Sequence, residues 1–180
     1  MQTRRLRTSI FIGVSLDGFI ARPNGALDWM DHGGAVDHGY TTFMATVDAL
    51  VMGRHTYETV CGFDHWPYGT RPVHVLSSAP LGPAPDGAVV HHLAGTPAAI
   101  VDELSARGFR HAYIDGGITI QRFLRAGLIQ HLILNRLPVL IGQGIPLFGA
   151  LDQDIPVRHV RTETFGDGLV QTEYEVPAIA

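Results

Sequence analysis

The chain contains no lysine: all 13 of its basic residues are arginine. That absence removes Schiff-base chemistry and the lysine of a Walker-type phosphate loop. Cys61 is the only cysteine in 180 residues, which excludes an internal disulfide and a multi-thiolate zinc site within one chain and fits a reducing compartment. No basic block interrupts a formal net charge of -4, so a nucleic-acid surface is not expected, because binding a phosphate backbone needs clustered positive charge. No stretch approaches the roughly 20 apolar residues of a membrane span. The arginine-led run at the N-terminus is apolar only from Ile10 to Leu16 before Asp17 stops it, and no small-residue cleavage site follows. Together these absences predict a cytoplasmic protein whose partner is a small molecule, with neither nucleic acid nor membrane involved.

What is present is ordinary globular material, 46% hydrophobic and 17% charged, of a length that suits a single domain over residues 1–180. Ile10 to Leu16 is rich in β-branched and aromatic residues and ends in Asp17-Gly18, the pattern of a buried strand closed by a turn. Phe19-Ile20-Ala21 continues extended until Pro23-Asn24-Gly25. A short helix is expected from about His38 to Val47, a buried strand from Ala49 to Met52, and a helical segment from Arg54 to Val60. Further strands are read at Pro72 to Leu76, Ala88 to His92 and Ala112 to Asp115. Thr96 as N-cap and Pro97 at the first helical position open the clearest helix, whose apolar face is Ile100, Val101 and Leu104. A second has the stripe Ile120, Phe123 and Leu124. The remainder alternates as strands do, with Gly166-Asp167-Gly168 joining the last two as a hairpin. The fold class that follows is a three-layer α/β/α domain with a mixed, mostly parallel central sheet and a C-terminal antiparallel hairpin.

Open α/β sheets bind ligands at the carboxyl ends of their strands. Three such ends carry unusual residues: Gly53-Arg54-His55-Thr56, Ser77-Ser78 and Gly116-Gly117. Helix N-termini offer unpaired N–H groups, glycine lets a diphosphate approach the backbone, and arginine and serine supply donors. Any one of these alone reads as a turn or a solvated helix start. Three together point to a ligand with several phosphates, hence a dinucleotide, although the G-x-G-x-x-G of the usual Rossmann domain is absent.

"ALVMGRHTYETV", "VHVLSS" and "YIDGGITIQRFL" resemble, in order, segments of the dihydrofolate reductase-like superfamily. "SLDGFIA" and "PVLIGQGIPLF" are similar more narrowly to the reductase domain of riboflavin-biosynthesis deaminase-reductases and their stand-alone relatives. The resemblance runs from about Ser9 to Val176. It implies NADPH as cofactor, with Gly53, Arg54, His55 and Thr56 facing its phosphates, and Arg54, Ser77 and Ser78 nearest the adenosine 2′-phosphate. Gly116 and Gly117, joined in the family by a cis peptide, would lie against the diphosphate, with Ile118 and Thr119 beginning the helix behind them. Gly13, Ile20 and Ala21 would flank the nicotinamide through their backbone. Where dihydrofolate reductases often carry a second arginine this chain has Thr119, and the acid they place before a tryptophan falls on Ala26 if Trp29 is that tryptophan. The resemblance also implies a homodimer.

For catalysis the candidates are Asp28, as proton donor or substrate anchor, and Asp17, for which a turn role before Gly18 is the alternative. Arg71 and Arg22 are the cations to consider for a phosphorylated substrate. The ten histidines show no ligand spacing: His91 and His92 point to opposite faces of a strand, and His32, Asp37 and His38 share a glycine-rich loop, so no metal is expected. The expected activity is reduction of a small heterocyclic or imine-type compound, the pyrimidine of riboflavin synthesis being the named possibility. A dinucleotide-binding sensor and a folate reductase are the alternatives.

Overall fold

The computed structural model describes residues 6–30 and 36–177; His32 lies outside them. The element order is β1 (Arg7–Ser15), β2 (Phe19–Ala21), a 3-10 turn (Asp28–Met30), α1 (Tyr40–Met44), β3 (Ala49–Gly53), α2 (Arg54–Cys61), β4 (Val73–Leu76), β5 (Val90–Leu93), α3 (Pro97–Ala106), β6 (His111–Asp115), α4 (Gly117–Arg125), β7 (His131–Leu137), β8 (Ile145–Pro146), β9 (Arg158–Thr164) and β10 (Val170–Glu175). One eight-stranded sheet runs in the order β5-β4-β3-β6-β1-β7-β10-β9. Its six strands from β5 to β7 are mutually parallel, and β10 and β9 continue it antiparallel. The expected α/β architecture with its antiparallel hairpin is therefore the observed one.

Burial explains why the central strands read as unbroken apolar runs. Ala49, Leu50, Val51 and Met52 are all fully buried, since β3 is covered on both faces. One face packs Ile10, Ile12 and Ile114 against Ile100 and Leu104 of α3 and Ile120 and Phe123 of α4. The other packs Leu50, Met52 and Tyr113 against Phe43 of α1 and Tyr57 and Val60 of α2. At the far edge every residue of β9 is exposed, and Arg158, Arg161 and Glu163 charge that edge against strand addition.

Local signals place the element ends. The Thr96 side chain accepts from Ala99 N–H (3.3 Å) with Pro97 in the first turn of α3, a cap whose removal costs about 1 kcal/mol. The helix expected over 38–47 is confined to Tyr40–Met44, because Gly39 enters it with φ 80° and the chain leaves it within five residues. Strand β7, within "HLILNRLPVLIG", ends at Leu137 before Pro138, which has no N–H to give, and one further backbone bond, from Leu16 N–H to the Val139 carbonyl at 2.8 Å, follows it. Sequence patterning did not indicate β8, a two-residue strand that pairs with β2 in a separate small sheet. No helix among the described residues is long and apolar enough to cross a membrane.

His74 on β4 is fully buried, with its ring stacked on His91 at 5.1 Å and Nδ1 donating to the Leu50 carbonyl at 3.3 Å. Burial pushes its pKa down to about 4, from 6.5 in a free imidazole. Between those values the unfolded chain takes up a proton that the folded chain refuses, so stability falls as pH drops through this window. His74→Phe keeps the stack and removes the titration. Thermal melts from pH 7 to pH 4.5 should show a shallower decline for the variant, and parallel curves would exclude this role.

Candidate functional site

β3 and β6 are neighbours in the sheet, yet the helices that follow them leave on opposite faces, α2 with one core and α4 with the other. A crevice opens where such a pair diverges, and in open α/β sheets that is where ligands bind. Here it is a cavity of about 1000 Å³ along the carboxyl ends of β4, β3, β6 and β1. From β4 to β1 is three strand spacings, about 14 Å.

Every cofactor-facing residue chosen from sequence lines this cavity. Gly53, Arg54, His55 and Thr56 form the β3–α2 junction, and Ser77 and Ser78 end β4. Gly116, Gly117, Ile118 and Thr119 form the β6–α4 junction, while Gly13, Ile20 and Ala21 come from β1 and β2. The N-termini of α2 and α4 have no side-chain cap, in contrast to α3, so both present open backbone N–H groups at the cavity.

The individual side chains refine that picture. Arg54 Nε donates to Glu58 Oε1 at 2.8 Å, and His55 stands 3.7 Å from the same carboxylate, so one acid sits among the anion donors. The Ser77 hydroxyl is taken up in a turn, donating to the Ala79 carbonyl (2.7 Å) and accepting from Ala79 N–H (3.1 Å), which leaves exposed Ser78 as the outward hydroxyl of the pair. Thr119 is buried, and a Cβ on Gly53 would stand 3.1 Å from its Oγ1, so it packs the two junctions together. An arginine at that position would have no room. Three residues on, Arg122 lines the cavity instead and donates to the Gly95 carbonyl at 3.3 Å.

The cis peptide that the resemblance implied between Gly116 and Gly117 is not observed, and none occurs among the described residues. Gly116 makes the reversal with φ 87°, and a Cβ there would collide with Thr56 Oγ1. Only glycine serves at 116, because both the backbone angle and the approach of α2 require it.

Toward β1 the lining changes to Phe11, Leu27, Met30, Phe63, Tyr68 and Tyr113, with one carboxylate, Asp115. Asp115 Oδ1 accepts from Gly116 N–H at 2.9 Å, and the Tyr68 hydroxyl bonds to the same carboxyl group. Burial pushes its pKa up to about 6 against the opposing pull of those two donors. Residual exposure remains because it opens on the cavity. Tyr113, buried, donates to the Phe11 carbonyl at 2.7 Å, and Tyr40, near Asp115, is pushed up to about 12 by burial.

The acids chosen from sequence are placed elsewhere. Asp28 is exposed outside the cavity lining and held by a two-point ion pair with Arg22 (2.7 and 2.9 Å), which keeps its carboxyl below the usual range. Asp17 serves the turn: it accepts from Ser15 Oγ (2.6 Å) and from the N–H groups of Gly142 (2.7 Å) and Ile141 (3.3 Å). It too is absent from the lining. Asp115 was overlooked, and its one signal in the sequence is a carboxylate at a strand's end directly before Gly116-Gly117. His38 is paired with Asp167 at 2.8 Å, and no group of three metal-ligating side chains occurs among the described residues. Trp66, edge-on to Tyr57 and Tyr68, is a packing plug beside α2.

Residues 9–171 match the family described as the RibD C-terminal domain. The chain belongs to that family. It is 33% identical over 170 residues to YwjB of Bacillus subtilis, covering 93% of this chain and 97% of that one. The structure of a Shewanella sp. PV-4 protein assigned to riboflavin biosynthesis superposes with TM-score 0.87 at 40% identity, covering 96% of this chain and 99% of that one. The Thermotoga maritima diaminohydroxyphosphoribosylaminopyrimidine deaminase/5-amino-6-(5-phosphoribosylamino)uracil reductase shares the fold, with TM-score 0.75 at 16% identity over 96% of this chain and 57% of that longer one. So does Enterococcus faecalis dihydrofolate reductase, at TM-score 0.62 and 16% identity over 94% of this chain and 96% of that one.

Asp115 gives this site a pH signature. Its folded pKa lies above the 3.8 of an unfolded aspartate, so ionisation above about pH 6 costs stability that the protonated form does not. Asp115→Asn keeps the acceptor for Gly116 N–H and removes the buried charge. Its melting temperature should rise by about 3 °C or more at pH 8, with a smaller gain at pH 5. A gain independent of pH would mean that Asp115 is not held near that value.

Proposed function

We propose that the chain is an NADPH-dependent reductase acting on a small heterocyclic or imine-type substrate. The supporting observation is the convergence on one cavity of two uncapped helix N-termini, two guanidinium groups and the Ser78 hydroxyl beside an aromatic pocket holding one carboxyl group. That donor set suits the diphosphate and 2′-phosphate of the cofactor, and the cavity's size matches a dinucleotide with a small acceptor. Gly13, Ile20 and Ala21 would border the nicotinamide, whose bound, reduced form supplies a hydride.

The protein's own part is to orient the acceptor, exclude water and deliver a proton. As hydride reaches the carbon of a C=N bond, a proton must reach the nitrogen. Asp115, with a pKa near neutrality and its second partner a tyrosine that stays protonated, is the group placed to give it. Membership of the RibD C-terminal-domain family makes 5-amino-6-(5-phosphoribosylamino)uracil the first named candidate substrate.

At 100 times its dissociation constant NADPH should stabilise the protein by about 2.7 kcal/mol in a thermal-shift assay, and no shift with NADPH or NADH would sink this reading. The Arg54–Glu58 pair predicts two opposite changes. Arg54→Ala should weaken NADPH about tenfold, ~1.4 kcal/mol, with a smaller loss for NADH, because it also leaves Glu58 unopposed. Glu58→Gln should tighten NADPH relative to NADH. Titrations in which the two cofactors respond equally would remove Arg54 from the 2′-phosphate.

A further inference from the structure

Three neighbouring strands end in register at the donor-rich side of the cavity. Gly53 pairs with Leu76 and Leu76 with Leu93, so the residues that follow, Arg54, Ser77-Ser78 and Ala94-Gly95, leave β3, β4 and β5 side by side. Two bonds tie the last pair together: Ser77 N–H donates to the Leu93 carbonyl at 3.2 Å, and His92 Nε2 donates to the Ser77 carbonyl at 2.6 Å. From Gly53 to Leu93 is two strand spacings, about 10 Å.

Two guanidinium groups of the cavity lining flank Ser78 across that width. Arg54 stands on the β3 side, and Arg122, reaching over from α4, donates to the Gly95 carbonyl (3.3 Å) on the β5 side. Their charges are not equivalent. Arg54 is paired with Glu58, and the two together carry no net charge, whereas Arg122 enters no ion pair among the described residues. One long bond to a carbonyl steadies its head and leaves other N–H groups of the fork for an anion.

A diphosphate does not account for that charge. The helix N-termini proposed to meet it follow β3 and β6, and the end of β5 lies beyond β4 from both. NADPH differs from NADH by one phosphate, on the adenosine 2′ oxygen.

We propose that Arg122 is the residue that selects NADPH over NADH, its guanidinium meeting the adenosine 2′-phosphate from the β5 side with the exposed Ser78 hydroxyl donating beside it. This rests on the reductase reading above and deepens it by assigning the choice of cofactor to α4. A phosphate dianion needs net positive charge as well as donors, and Arg122 brings both, in a planar fork that suits phosphate oxygens.

The test is calorimetric titration of the full chain with NADPH and with NADH, in the wild type, Arg122→Gln and Arg122→Lys. The side chain is exposed, so neither change disturbs the core. The wild type should favour NADPH by at least about tenfold, and Arg122→Gln should remove at least about tenfold of that ratio while NADH affinity stays within about twofold. Arg122→Lys, which keeps the charge and loses the fork, should fall between the two. An unchanged ratio in Arg122→Gln overturns the proposal, as does an equal loss of both cofactors, the result expected if Arg122 meets a group they share. A wild type that binds both without preference also overturns it and leaves the reductase reading standing. A wild type that binds neither sinks that reading, and this role with it.

Discussion

Residue 116 has no space for a side chain, and the geometry of the site depends on that. Its α-carbon lies so close to Thr56 that the first turn of α2 and the start of α4 are held together across the crevice between β3 and β6. The contact between Thr119 and Gly53 repeats the constraint in the opposite sense, with the threonine on α4 and the glycine before α2. Two helix N-termini that leave the sheet on opposite faces are thereby brought to one opening. The anion-binding power of each is modest, and their convergence makes a diphosphate a reasonable occupant.

The same constraint polarises the cavity. Donors collect where α2, α4 and the end of β4 meet, because helix N-termini and loop hydroxyls are there. Beyond β6 the wall is made of side chains that already serve the core, Phe11 and Tyr113 among them, so it is aromatic by necessity. Asp115 sits at the boundary between the two. It is the last residue of β6, its carboxyl group is fixed by the N–H of the glycine that makes the turn, and burial raises its proton affinity against the pull of that N–H and of the Tyr68 hydroxyl.

Much of this was legible in the sequence. Strands covered on both faces show as apolar runs, α3 carries its cap and its proline, and the junctions that line the cavity stand out because glycine, arginine and serine interrupt apolar strands at their carboxyl ends. The misjudged residues share one cause. Asp28 and Asp17 are acids beside turns, and whether such a group is free depends on partners far away in the chain: Gly142 for one, a folded-back Arg22 for the other. Arg122 was overlooked because its distance from Gly95 along the chain conceals that α4 runs past the end of β5.

By itself the sequence determined the class of the fold, the order of its elements and the strand-to-helix junctions that line the cavity, because periodicity, capping and glycine placement are local properties. Only the tertiary structure decided which acid faces the cavity, which arginines are already paired with an acid and which of them line it. Those are questions of burial and pairing between residues distant in the chain, and desolvation and Coulomb interaction are set by distance in space.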